Sequence, residues 1–259
     1  MARGSLGVIR FANDFTSIGF DAFVPTATGL ELGGGVGFYG VNEGALAFTV
    51  DEPGGILDIT TDVGDDDNNC LVAGTFKPAD GGMWMEARLK ITDSVAATRA
   101  AVWCGFTETL SVTTPVMPVE RATATNTFNA GGSLGVMFDS DSTILRFFAT
   151  SGDGSAALAG KNSKTGAAVA AGALDLSNTM TADRWYVVRV EISPNGLGRV
   201  YFGDIDAGDL LELVYENTTA LGTGDNFHAC LMIENRSAAN ERLEVDYFLG
   251  EGGRDWAVD

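Results

Sequence analysis

The chain has 259 residues, 45% of them hydrophobic and 9% aromatic, enough apolar material for one domain with a sizeable core. Asp and Glu outnumber Lys and Arg by 35 to 16, and the net charge of −19 is spread along the chain; such a field repels phosphate backbones and anionic bilayers, so neither nucleic acid nor membrane is expected as a partner. With 34 glycines, 6 prolines and no long run of helix formers, the composition predicts short strands joined by tight turns, an all-β class.

Residues 1–25 contain one turn-flanked apolar patch, GVIRF, and the motif NDF at 13–15. They are expected to form an N-terminal arm or edge segment, with Arg3, Arg10, Phe11 and Phe15 as candidate partner contacts. The opening MARGSLGVIRFANDF has no apolar stretch of signal-peptide length, so no secretion address is expected. Residues 26–250 read as a single sandwich domain. Within them LELGGG is a turn, and GFYG, ALAFTV and GILDITT are strands. The acidic loop DVGDDDNNC at 62–70 reads as a turn through the capping chemistry of Asp and Asn side chains. Asp62, Asp65 and Asp67 are weak calcium candidates, weak because contiguous carboxylates point in different directions and no bidentate Glu follows. No other cofactor is expected.

MWMEARLKI at 83–91 alternates cleanly, placing Met83, Met85, Ala87, Leu89 and Ile91 on one face and Trp84, Glu86, Arg88 and Lys90 on the other. AAVWCGFT at 100–107 is apolar enough for a strand covered on both faces. SLGVMF and TILRFFAT flank a turn at 139–142, where Asp139 and Asp141 are read as turn formers. WYVVRVEIS alternates again, with Tyr186, Val188, Val190 and Ile192 on one face, and Asn195-Gly196 marks a hairpin into RVYF. LLELVY, FHACLMIE and RLEVDYFL complete the strands; in the last, Leu243, Val245, Tyr247 and Leu249 are expected inward and Glu244 and Asp246 outward. Two stretches, 115–131 and 151–173, are rich in Ala, Thr, Gly and Ser with little periodicity, and read as long loops of functional, assembly-contacting or mobile kind. Residues 251–259 read as a tail whose Trp256 is an exposed candidate for a partner pocket or for docking back on its own domain.

Cys70, Cys104 and Cys230 each lie in an apolar run and are expected as buried free thiols. Trp84, Trp103 and Trp185 fall in strand patterns, where core packing is the ordinary role. His228, the single histidine, is expected to be a satisfied sheet residue, since no Ser or Cys stands in a G-x-S-x-G elbow. Retaining glycoside hydrolysis needs two carboxyl groups about 5 to 5.5 Å apart. Glu244 and Asp246 have the right spacing for one half of such a motif, but Phe248 and Leu249 fill the place of the third carboxylate and Glu251 comes too late. No enzyme is expected.

The order of GGILDITTDVGDDDNNCLVAG, GGMWMEARLKITD with AVWCGFTET after it, GGSLGVMFDSDST, DRWYVVRVEISPNGLGRVYF and ERLEVDYF resembles the concanavalin A-like (laminin-G/jelly-roll) sandwich domains of tailed-phage virion proteins, over residues 54–248. The resemblance implies an antiparallel jelly-roll β-sandwich. It further implies a non-enzymatic virion structural protein, made in the host cytoplasm and placed on the capsid surface as a decoration or cement subunit. Its implied partners are the major capsid protein and copies of itself, a trimer being the expected cluster. A second reading is a carbohydrate-binding adhesin module on a head or tail fibre, with a glycan as partner. That reading requires an exposed aromatic platform on the concave sheet or at loop tips.

Overall fold

Two-residue periodicity between glycine turns is what a pleated strand needs, because successive side chains leave the backbone on opposite faces. The computed structural model describes residues 7–13, 30–33, 36–40, 44–48, 55–64, 66–92, 99–110, 116–129, 131–169, 172–237 and 239–254. In chain order its strands are β1 (Gly7–Asn13), β2 (Leu30–Gly33), β3 (Val36–Gly40), β4 (Ala45–Phe48), β5 (Leu57–Thr60), β6 (Asn68–Phe76), β7 (Met83–Ile91), β8 (Ala100–Thr107), β9 (Val119–Ala122), β10 (Thr125–Phe128), β11 (Gly132–Asp139), β12 (Arg146–Asp153), β13 (Ala156–Ala157), β14 (Gly160–Asn162), β15 (Ala168–Val169), β16 (Ala173–Thr179), β17 (Tyr186–Ile192), β18 (Gly198–Asp204), β19 (Glu212–Asn217), β20 (Phe227–Asn235) and β21 (Arg242–Arg254).

The first sheet runs β15-β14-β19-β18-β17-β7-β21-β5-β4, with β1 also paired to β21. The second runs β13-β12-β11-β8-β20-β6-β3-β2, with β16 also on β12. Every pairing between named strands is antiparallel. The inner faces meet in one core, to which β7 contributes Met83, Met85, Ala87, Leu89 and Ile91 and β17 contributes Tyr186, Val188, Val190 and Ile192, as their alternation predicts. Phe147 anchors an aromatic cluster there, with ring centroids 4.7 Å from Tyr186 and 4.9 Å from Phe202.

The outer face of the second sheet is buried as well. Cys70, Ala101, Trp103, Met137, Phe148, Cys230 and Met232 form a second apolar cluster, closed from above by Met117, Val119 and Phe128 of the β9–β10 hairpin and its lead-in. This explains the continuous apolar run of β8, all eight residues of which are buried. It also corrects the expectation of long loops. The stretch 115–131 carries the covering hairpin, and 151–173 carries the end of β12 with β13, β14 and β15. Such strands are too short to display a period, so pairing rather than pattern defines them.

The three cysteines are free and buried; Cys104 points into the inner core and Cys230 into the outer cluster. Burial, then the neighbouring Cys230, pushes the Cys104 thiol up, which makes it a packing group rather than a nucleophile. The Asn195-Gly196 signal is a true hairpin, with Gly196 at a φ of 79° joining β17 to β18.

One register prediction fails. Between Val245 and Tyr247 strand β21 bulges against β7, so Val245 faces Leu89 and Tyr247 already faces Arg88. A bulge inserts one residue and flips the faces beyond it. Phe248, rather than Tyr247 and Leu249, therefore enters the core, and the last two are only half-buried. At the same point the far neighbour of β21 changes from β5 to β1. The pairing of β21 with β1 extends to Arg254, beyond the expected boundary at 250.

Candidate functional site

The outer face of the first sheet carries the polar half of each alternating strand. Cross-strand registry lines these side chains up in transverse rows. One row crosses eight strands: Ala168 faces Lys161, which faces Glu216, then Arg199, Glu191, Trp84, Glu251 and Arg10 in turn. From Lys161 to Glu251 the row lies in an open groove of about 910 Å³. The β17–β18 turn (Ser193, Pro194, Asn195 and Leu197) and the 80–82 turn form its upper wall, and Asn217 and Thr218 line its β19 side. At the β21 end Gly253 lies so close to the Asp80 carbonyl that a Cβ there would collide with it.

The charges of the row are paired in place. Glu216 accepts from Lys161 at 2.9 Å and Arg199 at 3.2 Å, and the Lys161 hydrogen bond is the main cause holding its carboxyl below the usual range. Glu191 accepts from Arg189 at 2.8 Å and from the Tyr201 hydroxyl at 3.1 Å. Glu251 takes the exposed Arg10 guanidinium at 2.7 Å. Trp84 is half-buried, and the Arg189 guanidinium lies 4.5 Å from its ring centroid. Trp185, further along the same face, is flanked by Arg88 at 4.6 Å and Lys90 at 4.8 Å. Of the four tryptophans, Trp103 alone is described as a core residue; Trp84 and Trp185 correct the core-packing expectation. The alternation of MWMEARLKI already placed Trp84 on the charged face, and that signal outweighs the residue's apolar character.

Other predicted positions fall elsewhere. Arg10 lies on β1 in the transverse row; Phe11 pairs with Gly250 through its backbone, and its side chain is outside the described residues. Arg3, Phe15, Asp65 and Trp256 are also outside them. Asp62 is half-buried, its carbonyl accepting from the Asn235 amide at 2.8 Å. Asp67 is buried, and its carbonyl accepts from the Asn235 backbone N–H at 3.0 Å. Among the described residues no group of three His, Cys, Asp or Glu side chains could hold a metal. Glu244 is paired with Lys90 at 2.6 Å and Asp246 with Arg88 at 2.7 Å, so both carboxylates of the suspected hydrolase motif are engaged by β7 cations. His228 is satisfied in its strand by the Gly74 carbonyl at 3.1 Å and Thr75 at 3.3 Å.

Sequence reasoning missed the role of Asp139. This buried side chain accepts from the backbone N–H of Arg121 at 2.8 Å, from that of Asp141 at 3.0 Å and from the Arg236 guanidinium at 2.9 Å, tying the covering hairpin to the second sheet. Its turn context pointed to the Asp141 bond alone, since the other two partners are distant in sequence.

The fold is the concanavalin A-like jelly-roll sandwich. No protein-family model matches the sequence, and no curated protein matches it. Among solved structures, a protein of unknown function from Shewanella oneidensis MR-1 superposes with a TM-score of 0.57 at 12% identity, over 97% of this chain and 89% of that one. The CBM2 module of the evolved Dit protein of Lactobacillus casei BL23 phage J-1 gives 0.54 at 14% identity, over 97% and 99%. Lectin I from Ulex europaeus, in complex with the methyl glycoside of α-L-fucose, gives 0.53 at 10% identity, over 95% and 98%. At these identities the likeness is one of fold.

Proposed function

We propose that this chain is a non-catalytic carbohydrate-binding module of a phage virion, and that the Trp84 groove is its sugar site. One observation carries the reading: a half-buried indole sits in a row with three carboxylates, a guanidinium and an ammonium within one groove. A pyranose ring packs its C–H face on an aromatic ring, while its hydroxyls, each donor and acceptor, pair with such groups. The phage CBM2 module and the Ulex lectin of the same fold support a sugar-binding use, and the motif order of the strands supports a virion setting. Copies clustered on a head or tail surface, a trimer among them, would convert weak single-site contacts into firm attachment through effective concentration. Glycan-array screening of the full chain, followed by calorimetry on each hit, tests the reading. Binding is expected, with at least a tenfold loss in Trp84→Ala; full affinity in that variant, or silence of the wild type against host-surface polysaccharides, overturns it. Mass spectrometry of purified virions tests the setting, and absence of the chain from them rejects it.

A further inference from the structure

Building on that reading, we infer that the groove takes an internal segment of an extended, uncharged polysaccharide lying across the strands, rather than a terminal sugar. The geometry is that of a trough. Its row of side chains passes over β14, β19, β18, β17, β7 and β21, five inter-strand steps of about 4.8 Å each, so roughly 24 Å in length. Among the described residues neither end of the row carries a wall: beyond Lys161 the next residue across is the exposed Ala168, and beyond Glu251 it is the exposed Arg10. A site for a chain terminus must enclose the ring on several sides, whereas a trough lets the polymer enter and leave. The aromatic contact, Trp84, stands inside the row rather than at its end, so sugar units would extend past it toward Glu191, Arg199 and Lys161.

The charge pattern selects the class of polymer. Lys161 and Arg199 share Glu216, Arg189 is held by Glu191, and Arg10 by Glu251, so each of these cations already has a carboxylate. A polyanionic glycan would have to break those pairs and approach a chain of net charge −19. Neutral hydroxyls instead add hydrogen bonds to ions that stay paired, which is cheap because a carboxylate has lone pairs beyond those two contacts.

Affinity electrophoresis of the full chain in gels containing a neutral β-glucan, galactomannan or rhamnan, with polygalacturonate as the anionic arm, tests this directly. Retardation is expected in at least one neutral gel and none in polygalacturonate. Oligosaccharides of that polymer, from one unit to six, then compete: affinity should rise at least tenfold from monomer to tetramer, and methylating the anomeric end should leave it unchanged. Arg199→Ala and Lys161→Ala, both surface changes whose folding is checked by melting, should weaken the longer oligomers at least threefold while sparing the dimer. A monosaccharide that competes as well as the hexamer, or loss of binding on capping the end, overturns the trough while leaving sugar binding intact. Retardation by polygalacturonate alone overturns the uncharged class, and retardation by none of the polymers overturns both this inference and the sugar-binding reading.

Discussion

The guanidinium of Arg189 lies 4.5 Å from the Trp84 ring centroid while its Nε and Nη2 donate to Glu191 at 2.8 Å, so one residue both stacks on the indole and ties it to the charged row. A planar cation fixed at a carboxylate holds the ring at one tilt, which a free indole on a sheet surface would not keep. Arg189→Ala should therefore lower polysaccharide affinity about threefold to tenfold by loosening the ring, at a stability cost near 1 kcal/mol. Arg189→Lys should recover part of the affinity. The readouts are calorimetric Kd and the shift of the emission maximum between Arg189→Ala and its parent, both in a Trp185→Phe background in which Trp103 and Trp256 are common to the two proteins. An unchanged Kd in Arg189→Ala shows that the ring needs no such support.

The bulge in β21 makes a second prediction in which two neighbouring residues diverge. Phe248 is fully buried, so Phe248→Ala should cost about 3 to 5 kcal/mol through lost transfer energy and a residual cavity. Leu249→Ala should cost about 1 kcal/mol or less, since that side chain lies half-exposed on the outer face. Urea unfolding monitored by fluorescence separates the two. Equal costs, or the reverse order, would mean an unbroken alternation through Tyr247 and Leu249.

That case marks where the sequence stops being legible. The faces of β7 and β17 follow from alternation alone, because period two needs only local sequence. The bulge at Val245 and Tyr247 leaves no mark in RLEVDYFL; it falls where β21 exchanges β5 for β1 as its neighbour, a change that local sequence does not carry. Likewise the hairpin at Val119–Phe128 is hidden in a Thr- and Ala-rich stretch whose structure comes from covering Trp103 and Met137, contacts far away in the chain. For the groove, each strand shows a polar residue facing outward. That Lys161, Glu216, Arg199, Glu191, Trp84 and Glu251 fall in one row depends on register across six strands, which no single segment contains.

The Asp139 junction between the hairpin and the second sheet predicts a large mutational effect away from the groove. Asp139→Ala leaves the backbone N–H of Arg121 without its acceptor and strips Arg236 of one carboxylate. Breaking a buried ion pair in this way costs about 3 to 5 kcal/mol. Sugar affinity of the fraction still folded should not move, because the groove is built on the other sheet. Thermal melting and calorimetry on the same sample check both halves, and a change of less than about 1 kcal/mol removes Asp139 as the tie.

Glu234 carries the pH dependence. It stands on β20 beneath the hairpin, beside Arg236, with Asn68 of β6, Glu120 of β9, Asp66 of the acidic turn and Asp139 of β11 around it. Burial outweighs the attraction of Arg236, with which it is directly paired, and pushes its carboxyl up to about 8, while Arg236 stays charged and also pairs with Asp139 at 2.9 Å and Asp66 at 3.1 Å. In the unfolded chain the same group ionises near its ordinary value of 4.5. Between the two values the folded state holds a proton that the unfolded state has released, so the stability of the fold falls as pH rises through that window and levels off above it. Glu234→Gln, which keeps the neutral shape, removes this slope. The melting temperature of the wild type should therefore drop relative to the Gln variant as pH is raised from about 5 to about 9. A difference that stays flat or reverses would show Glu234 already ionised at the acid end and held by Arg236.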